Sequence, residues 1–213
     1  MPTWQALDML RKNIVIGLPR TGTTSLCAEL SIPGKKFEVE PVLDNFVNPP
    51  NHTTKYLTPL LWQHQDLNRQ LQQTVQDNDF QMYWTWRIDL REWLLSCICC
   101  SKLNIWGYPS AKSKHNKIKP FIIEESDMEH WLKEMHHHNL LLEEWQSIYP
   151  QVFFNHYALE MMQYQSGKQL PQELKEQLIM NLETFDDWLE YRFLKSEEYQ
   201  TYESNLKHYC KLG

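Results

Sequence analysis

Asn13-Ile-Val-Ile-Gly17 is an unbroken apolar, β-branched run that closes on glycine, and the Gly/Pro/Thr turn after it leads into apolar positions at helical spacing from Thr24 to Leu30. The pattern predicts strand, loop and helix in succession. Lys36 to Glu40 alternates into a second strand, which Pro41 ends by biasing Glu40 to an extended backbone. Asn48 to Thr54, with two prolines, reads as loop. Leucines and Trp62 recur at helical spacing between Leu57 and Val75 among many glutamines, which predicts a partly exposed helix. Phe80 to Trp86 is aromatic and strand-like. Asp89-Leu-Arg-Glu92 has the form of a capping box and predicts a helix from about Leu90 to Leu103. Ser126-Asp-Met-Glu129 is a second such box, opening a long helix through Trp131, Met135, Leu141 and Trp145. Gln151 to Phe154 predicts a further strand, and about 171–209 is helical, read as two helices.

Strands alternating with helices predict an α/β fold with a parallel sheet flanked by helices and a helical C-terminal part. The 213 residues, 42% hydrophobic, suit one domain over 1–213. Met1 to Lys12 lacks the apolar run of a signal peptide, and the most apolar stretch, Trp93 to Cys100, is too short to span a bilayer. The expectation is a cytoplasmic protein with no membrane partner. Five cysteines, three of them crowded at Cys97, Cys99 and Cys100, do not resemble a disulfide framework, so reduced thiols are expected. A net charge of −6 argues against a nucleic-acid partner and leaves any bound anion to a local cluster.

The candidate cluster is Gly17-Leu-Pro-Arg-Thr-Gly22-Thr-Thr24, set between a predicted strand and a predicted helix. Its Gly-x4-Gly frame matches a Walker A loop, where backbone amides and a helix N-terminus converge on phosphate oxygens. Thr23-Thr24 stands where a nucleoside-triphosphate enzyme has Lys-Ser/Thr, so the lysine for the β- and γ-phosphates is missing and Arg20 is the cation within the loop.

Pro19-Arg-Thr-Gly-Thr-Thr24 resembles, position by position, the 5′-phosphosulfate loop of the sulfotransferases, which use 3′-phosphoadenosine 5′-phosphosulfate and release 3′-phosphoadenosine 5′-phosphate. The resemblance implies a P-loop-type sheet, a donor held by Pro19, Arg20, Thr21, Gly22, Thr23, Thr24 and Ser25, Arg20 on the phosphosulfate bridge, and no metal. It also implies an Arg at the end of a central strand and a Ser about two helical turns later on the 3′-phosphate, which here are Arg87 and Ser96. The family often has Arg-Asp-Pro where this chain has Arg87-Ile-Asp89-Leu, so Arg91 competes for that role. Phe153 to Glu160 is similar to the segment the family places near adenine, with Tyr157 as its aromatic.

Each residue also has a plain structural reading. Arg87 could be an ion-pair partner of Asp89 or Glu92, Ser96 a small core residue, and Tyr157, Trp84 and Trp86 core aromatics. His136-His-His138 cannot converge on one ion at 100° per residue, whereas His130, Glu134 and His138 share a face at four-residue spacing. Cys97-Ile-Cys-Cys100 lies in an apolar helix with no second pair, which favours buried small residues.

In-line sulfuryl transfer requires positioning, charge stabilisation and a base for the acceptor hydroxyl or amine. Glu40 is the candidate base, because it ends the second predicted strand on the edge from which the loop springs, and carbohydrate sulfotransferases similarly carry Glu-Pro at about this place. Glu38, His52 and His64 are the other candidates. The residues do not identify the acceptor; the resemblance points to a carbohydrate or small metabolite, whose pocket would come from loops such as Asn45 to Leu60 and the Lys-rich Gly107 to Pro120. Two rivals remain: a nucleotide or small-molecule kinase with a degenerate loop, and a non-catalytic nucleotide-binding protein.

Overall fold

A computed structural model describes residues 12–31, 38–39, 53–77, 80–104, 119–150, 152, 154–162 and 172–211. The chain divides into two compact units: Met1–Trp86 with His137–Gln165, and Arg87–His136 with Ser166–Gly213.

The first unit is built on five strands, β1 (Lys12–Gly17), β2 (Glu38–Val39), β3 (Thr53–Leu57), β4 (Phe80–Trp86) and β5 (Phe154–Ala158). Their order is β2-β3-β1-β4-β5, and each pairing is parallel. β1 is central, with Val15 opposite Lys55 on one side and Tyr83 on the other, and its residues from Asn13 onward are buried. A strand covered on both faces needs an apolar run rather than an alternation, which is what Ile14 to Ile16 supplies. Helix α1 (Thr23–Leu30) packs Leu26 and Cys27 into a cluster with Val15, Tyr83, Leu159 and Met162.

β3 was expected to be loop and helix start. Thr-Thr-Lys-Tyr-Leu is a short, half-polar segment, and its strand conformation comes from non-local pairing with β1 rather than from its own pattern. The single helix expected over Leu57 to Val75 is two, α2 (Thr58–Gln63) and α3 (Gln65–Asp77), broken at His64, whose φ of −116° and ψ of 77° are not helical. The described part of β5 is Phe154–Ala158, where Gln151 to Phe154 was expected, and of β2 the described part is Glu38–Val39.

The second unit carries α4 (Leu90–Leu103), the first part of the long helix α5 (Glu125–Ile148), and α6 (Gln172–Leu178), α7 (Leu182–Tyr191) and α8 (Glu197–Cys210). The C-terminal part thus has three helices where two were expected, because Asn181 and Ser196 each start a new one. Asp89 caps α4 by accepting from the Glu92 amide at 2.9 Å, as predicted. Glu92 does not reach back; its carboxylate is half-buried against the Lys175 ammonium on α6. The cap of α5 lies earlier than the predicted box, with the Glu124 amide donating to Asp127 Oδ2 at 2.8 Å. Glu129, assigned to that box by its spacing, instead pairs with Arg192. Trp93 and Trp131 meet edge to face at 6.2 Å in the core of this unit. All five cysteines are buried free thiols, and among the described residues no helix is long and apolar enough to cross a membrane.

Candidate functional site

The Gly17–Gly22 loop leaves the C-terminal end of β1 at the centre of the sheet, the edge where parallel α/β sheets collect ligands. Two of its residues lie in the left-handed region, Arg20 at φ 67° and Gly22 at φ 91°. Gly22 also has no room for a side chain, since a Cβ would stand 2.8 Å from Leu159 Cδ1 and 3.1 Å from Met162 Sδ. At the head of α1 the Leu26 amide donates to the Gly22 carbonyl at 2.9 Å, and the first-turn amides of a helix are the groups that its own ladder does not use. No side chain caps this end and its first turn holds no carboxylate, which leaves the positive pole of the helix un-neutralised from within.

A second cation stands beside this pole. Lys55 on β3 points its ammonium at Thr24, with Nζ 3.3 Å from Oγ1. Parallel pairing of β3 with β1 puts it there, Lys55 being opposite Val15. Nothing local marks Lys55 in the sequence, because its place depends on a strand whose pattern is too short to read. Its charge is felt by Cys27 on α1: burial pushes that thiol up to about 12 while Lys55 pulls the other way, so the thiol stays protonated at neutral pH.

The loop residues divide by exposure. Pro19, Thr21, Thr23 and Ser25 are buried, whereas Arg20, Gly22 and Thr24 are half-buried. Thr21 holds its hydroxyl inside the protein, donating to the Leu18 carbonyl at 2.7 Å and lying 2.7 Å from Thr85 Oγ1 on β4. It therefore shapes the loop with its side chain instead of presenting it outward. Tyr157 on β5 is 39% exposed, with its ring 6.0 Å from that of Tyr83.

Arg87 and Ser96 both belong to the second unit and both are buried. The Arg87 amide donates to the Tyr202 hydroxyl at 2.8 Å. Ser96 sits mid-way along α4. Arg91 is committed elsewhere, its guanidinium fork gripping Asp186 through Nε–Oδ1 at 2.7 Å and a second nitrogen to Oδ2 at 2.9 Å. That hydrogen bond raises the arginine's pKa further. Glu40 and His52 lie outside the described residues, as do Lys112, Lys114, His115 and Lys117; His64 is exposed between α2 and α3, and of Glu38 only its place in β2 is described.

His138 is fully buried, accepts from Trp84 Nε1 at 2.8 Å through Nε2, and faces the Thr58 hydroxyl at 3.4 Å with Nδ1. Burial, with a smaller contribution from His156, pushes it down to about 3, so it is neutral at physiological pH. With Nε2 engaged by Trp84, the His130, Glu134, His138 face does not form a metal site, and among the described residues no group of three or more metal-ligating side chains occurs. An open cavity of about 630 Å³ lies between α3 and the end of α5, lined by Gln65, Arg69, Gln72, Glu144 and Tyr149 among others and by none of the loop residues. The carboxylate at its wall, Glu144, is bound by Asn68 and Gln72 at 3.1 and 2.9 Å. Comparison with family models, with curated proteins and with solved structures finds no match to this chain.

Proposed function

We propose that this chain is a sulfotransferase of P-loop type that moves a sulfuryl group from 3′-phosphoadenosine 5′-phosphosulfate to a hydroxyl or amine of a carbohydrate or small-metabolite acceptor. The observation that carries the reading is the loop between β1 and α1. It holds Pro19-Arg-Thr-Gly-Thr-Thr24, lacks the Walker lysine, and has the Lys55 ammonium on Thr24, the hydroxyl that a Walker loop would turn to magnesium. An ammonium donating to that oxygen competes with a divalent cation for the same lone pairs. A loop of this kind suits an anion that arrives without a metal.

In the reaction, the acceptor oxygen or nitrogen forms a bond to sulfur while the bond from sulfur to the bridging phosphate oxygen breaks. Negative charge develops on that bridging oxygen as 3′-phosphoadenosine 5′-phosphate leaves, and Arg20, Lys55 and the amides at the head of α1 are the groups to stabilise it. Glu40 is the proposed base that takes the acceptor proton, Arg87 and Ser96 the ligands of the 3′-phosphate, and Tyr157 the aromatic beside adenine.

Melting temperatures measured with 3′-phosphoadenosine 5′-phosphate, ATP and GTP, each with and without magnesium, test the reading. The bisphosphate is expected to stabilise the fold most and independently of magnesium, by roughly 2.7 kcal/mol at a hundredfold excess over its Kd. A larger, magnesium-dependent shift with ATP would favour a kinase instead. Donor binding without turnover on any acceptor would favour a non-catalytic nucleotide-binding protein.

A further inference from the structure

Thr85 has no place in the roles above, yet it is fully buried and touches the loop at its origin. It stands opposite Gly17 in the parallel β1–β4 register. A Cβ on Gly17 would collide with the Thr85 hydroxyl, so the missing side chain is what lets that hydroxyl reach across the strand end. There it meets Thr21 Oγ1 at 2.7 Å, and Thr21 Oγ1 meets the Leu18 carbonyl at 2.7 Å. Each hydroxyl has one proton. Thr21 gives its own to Leu18, so Thr85 gives its proton to Thr21; the alternative acceptor for Thr85, the Ile16 carbonyl, is more distant at 3.4 Å. The result is a directed chain from β4 through Thr21 to Leu18, anchoring both sides of the Leu18–Thr21 turn to a rigid central strand. The same turn carries Arg20 in its left-handed conformation, which costs energy for a residue with a Cβ and persists only where the surroundings hold it.

We infer that Thr85 is a positioning residue for the anion-binding loop: its hydroxyl, admitted by Gly17 and relayed by Thr21, holds Arg20 and the amides at the head of α1 in the geometry that receives a 5′-phosphate. The inference rests on the reading of the loop as a phosphate site. Thr85 touches no ligand itself and acts through preorganisation, so its removal is felt as affinity for the 5′-phosphate rather than for the rest of the nucleotide.

The test compares Thr85→Val, which keeps shape and removes the hydroxyl, with Thr85→Ser, which keeps the hydroxyl. Binding of 3′-phosphoadenosine 5′-phosphate and of adenosine 3′-phosphate, which lacks the 5′ group, is measured by calorimetry well below each variant's melting temperature. Thr85→Val is expected to bind the bisphosphate about fivefold to tenfold more weakly, the scale of one buried hydrogen bond, with adenosine 3′-phosphate unaffected and Thr85→Ser close to wild type. Unchanged bisphosphate affinity in Thr85→Val, or equal loss for both ligands, would overturn the positioning role and leave Thr85 a stability residue. If the wild-type chain binds no bisphosphate, the sulfotransferase reading fails separately, and amide hydrogen exchange across residues 18–26 then decides. Faster exchange in Thr85→Val that Thr85→Ser restores upholds the chain of hydroxyls, and exchange as in wild type overturns it.

Discussion

The ammonium of Lys55 lies 3.3 Å from the hydroxyl of Thr24, so a side chain from one strand tops the helix that follows its neighbour. This pair fixes a positive charge at the positive end of α1, an arrangement that is unfavourable until an anion shares it. Lys55→Met is therefore expected to leave the melting temperature nearly unchanged while weakening 3′-phosphoadenosine 5′-phosphate by about tenfold or more, the scale of one charge-assisted hydrogen bond. Calorimetry with the bisphosphate checks it. A large loss of stability with unchanged affinity would assign Lys55 to the fold alone.

Gly17 and Thr85 are expected to be energetically coupled whatever the loop binds. Gly17→Ala forces a methyl onto the Thr85 hydroxyl and should cost roughly 1–3 kcal/mol. Thr85→Ala should cost stability alone, yet recover part of the Gly17→Ala loss when combined with it, giving a coupling on the order of 1 kcal/mol in a double-mutant cycle. Strict additivity in urea unfolding would show that the two do not share this space.

His138 makes the fold acid-sensitive. The unfolded imidazole takes up a proton near 6.5, while the folded one stays neutral down to about 3. Between those values protons favour the unfolded chain, so stability is fully present above pH 6.5 and falls as the pH drops. From pH 7 to pH 5 this group removes about 2 kcal/mol. His138→Gln keeps an acceptor for Trp84 Nε1 and loses the titration, so its stability should vary less between those pH values by about that amount. An identical pH dependence in the variant would refute the assignment.

Arg87 and Arg91 separate by the same logic. With its fork closed on Asp186, Arg91 is expected to contribute to folding only, so Arg91→Ala should lower the melting temperature without changing the preference for a 3′-phosphate. Arg87→Ala should weaken 3′-phosphoadenosine 5′-phosphate much more than adenosine 5′-phosphosulfate, by roughly tenfold or more. Equal weakening of both ligands would remove Arg87 from the 3′ end. For the base, Glu40→Gln should leave donor affinity in place and lower turnover by about 10²–10⁴-fold, and near-normal turnover would redirect attention to His52 and His64.

β1, β4 and α4 were legible because each carries its signal within itself: an apolar run ending in glycine, an aromatic run, a cap followed by leucines. The loop between β1 and α1 was legible for the same reason, since its glycines and threonines are consecutive. What escaped depends on partners far along the chain. β3 is a strand because β1 lies beside it, and Lys55 and Thr85 matter only through that register. Glu92 has the spacing of a capping box, but Lys175, 83 residues away, takes its carboxylate. The pairing of Arg91 with Asp186 likewise joins residues far apart in the chain, with no local signal to announce it.

The strand that completes the sheet is also the one whose exit brings Leu159 and Met162 against Gly22. β5 joins β4 at Met82 and Phe154, which are 154 − 82 = 72 residues apart, so a long loop must close before that pairing gains anything. We expect the contacts of Leu159 and Met162 with the Gly17–Gly22 loop to form late in folding, after the transition state. Leu159→Ala should therefore speed unfolding and leave the refolding rate nearly untouched in stopped-flow experiments, and a slowed refolding limb would place β5 in the nucleus instead. On this ordering, the lifetime of the intact loop is governed by how fast β5 lets go, and a ligand seated there would act as a brake on unfolding without hastening the search for the native state.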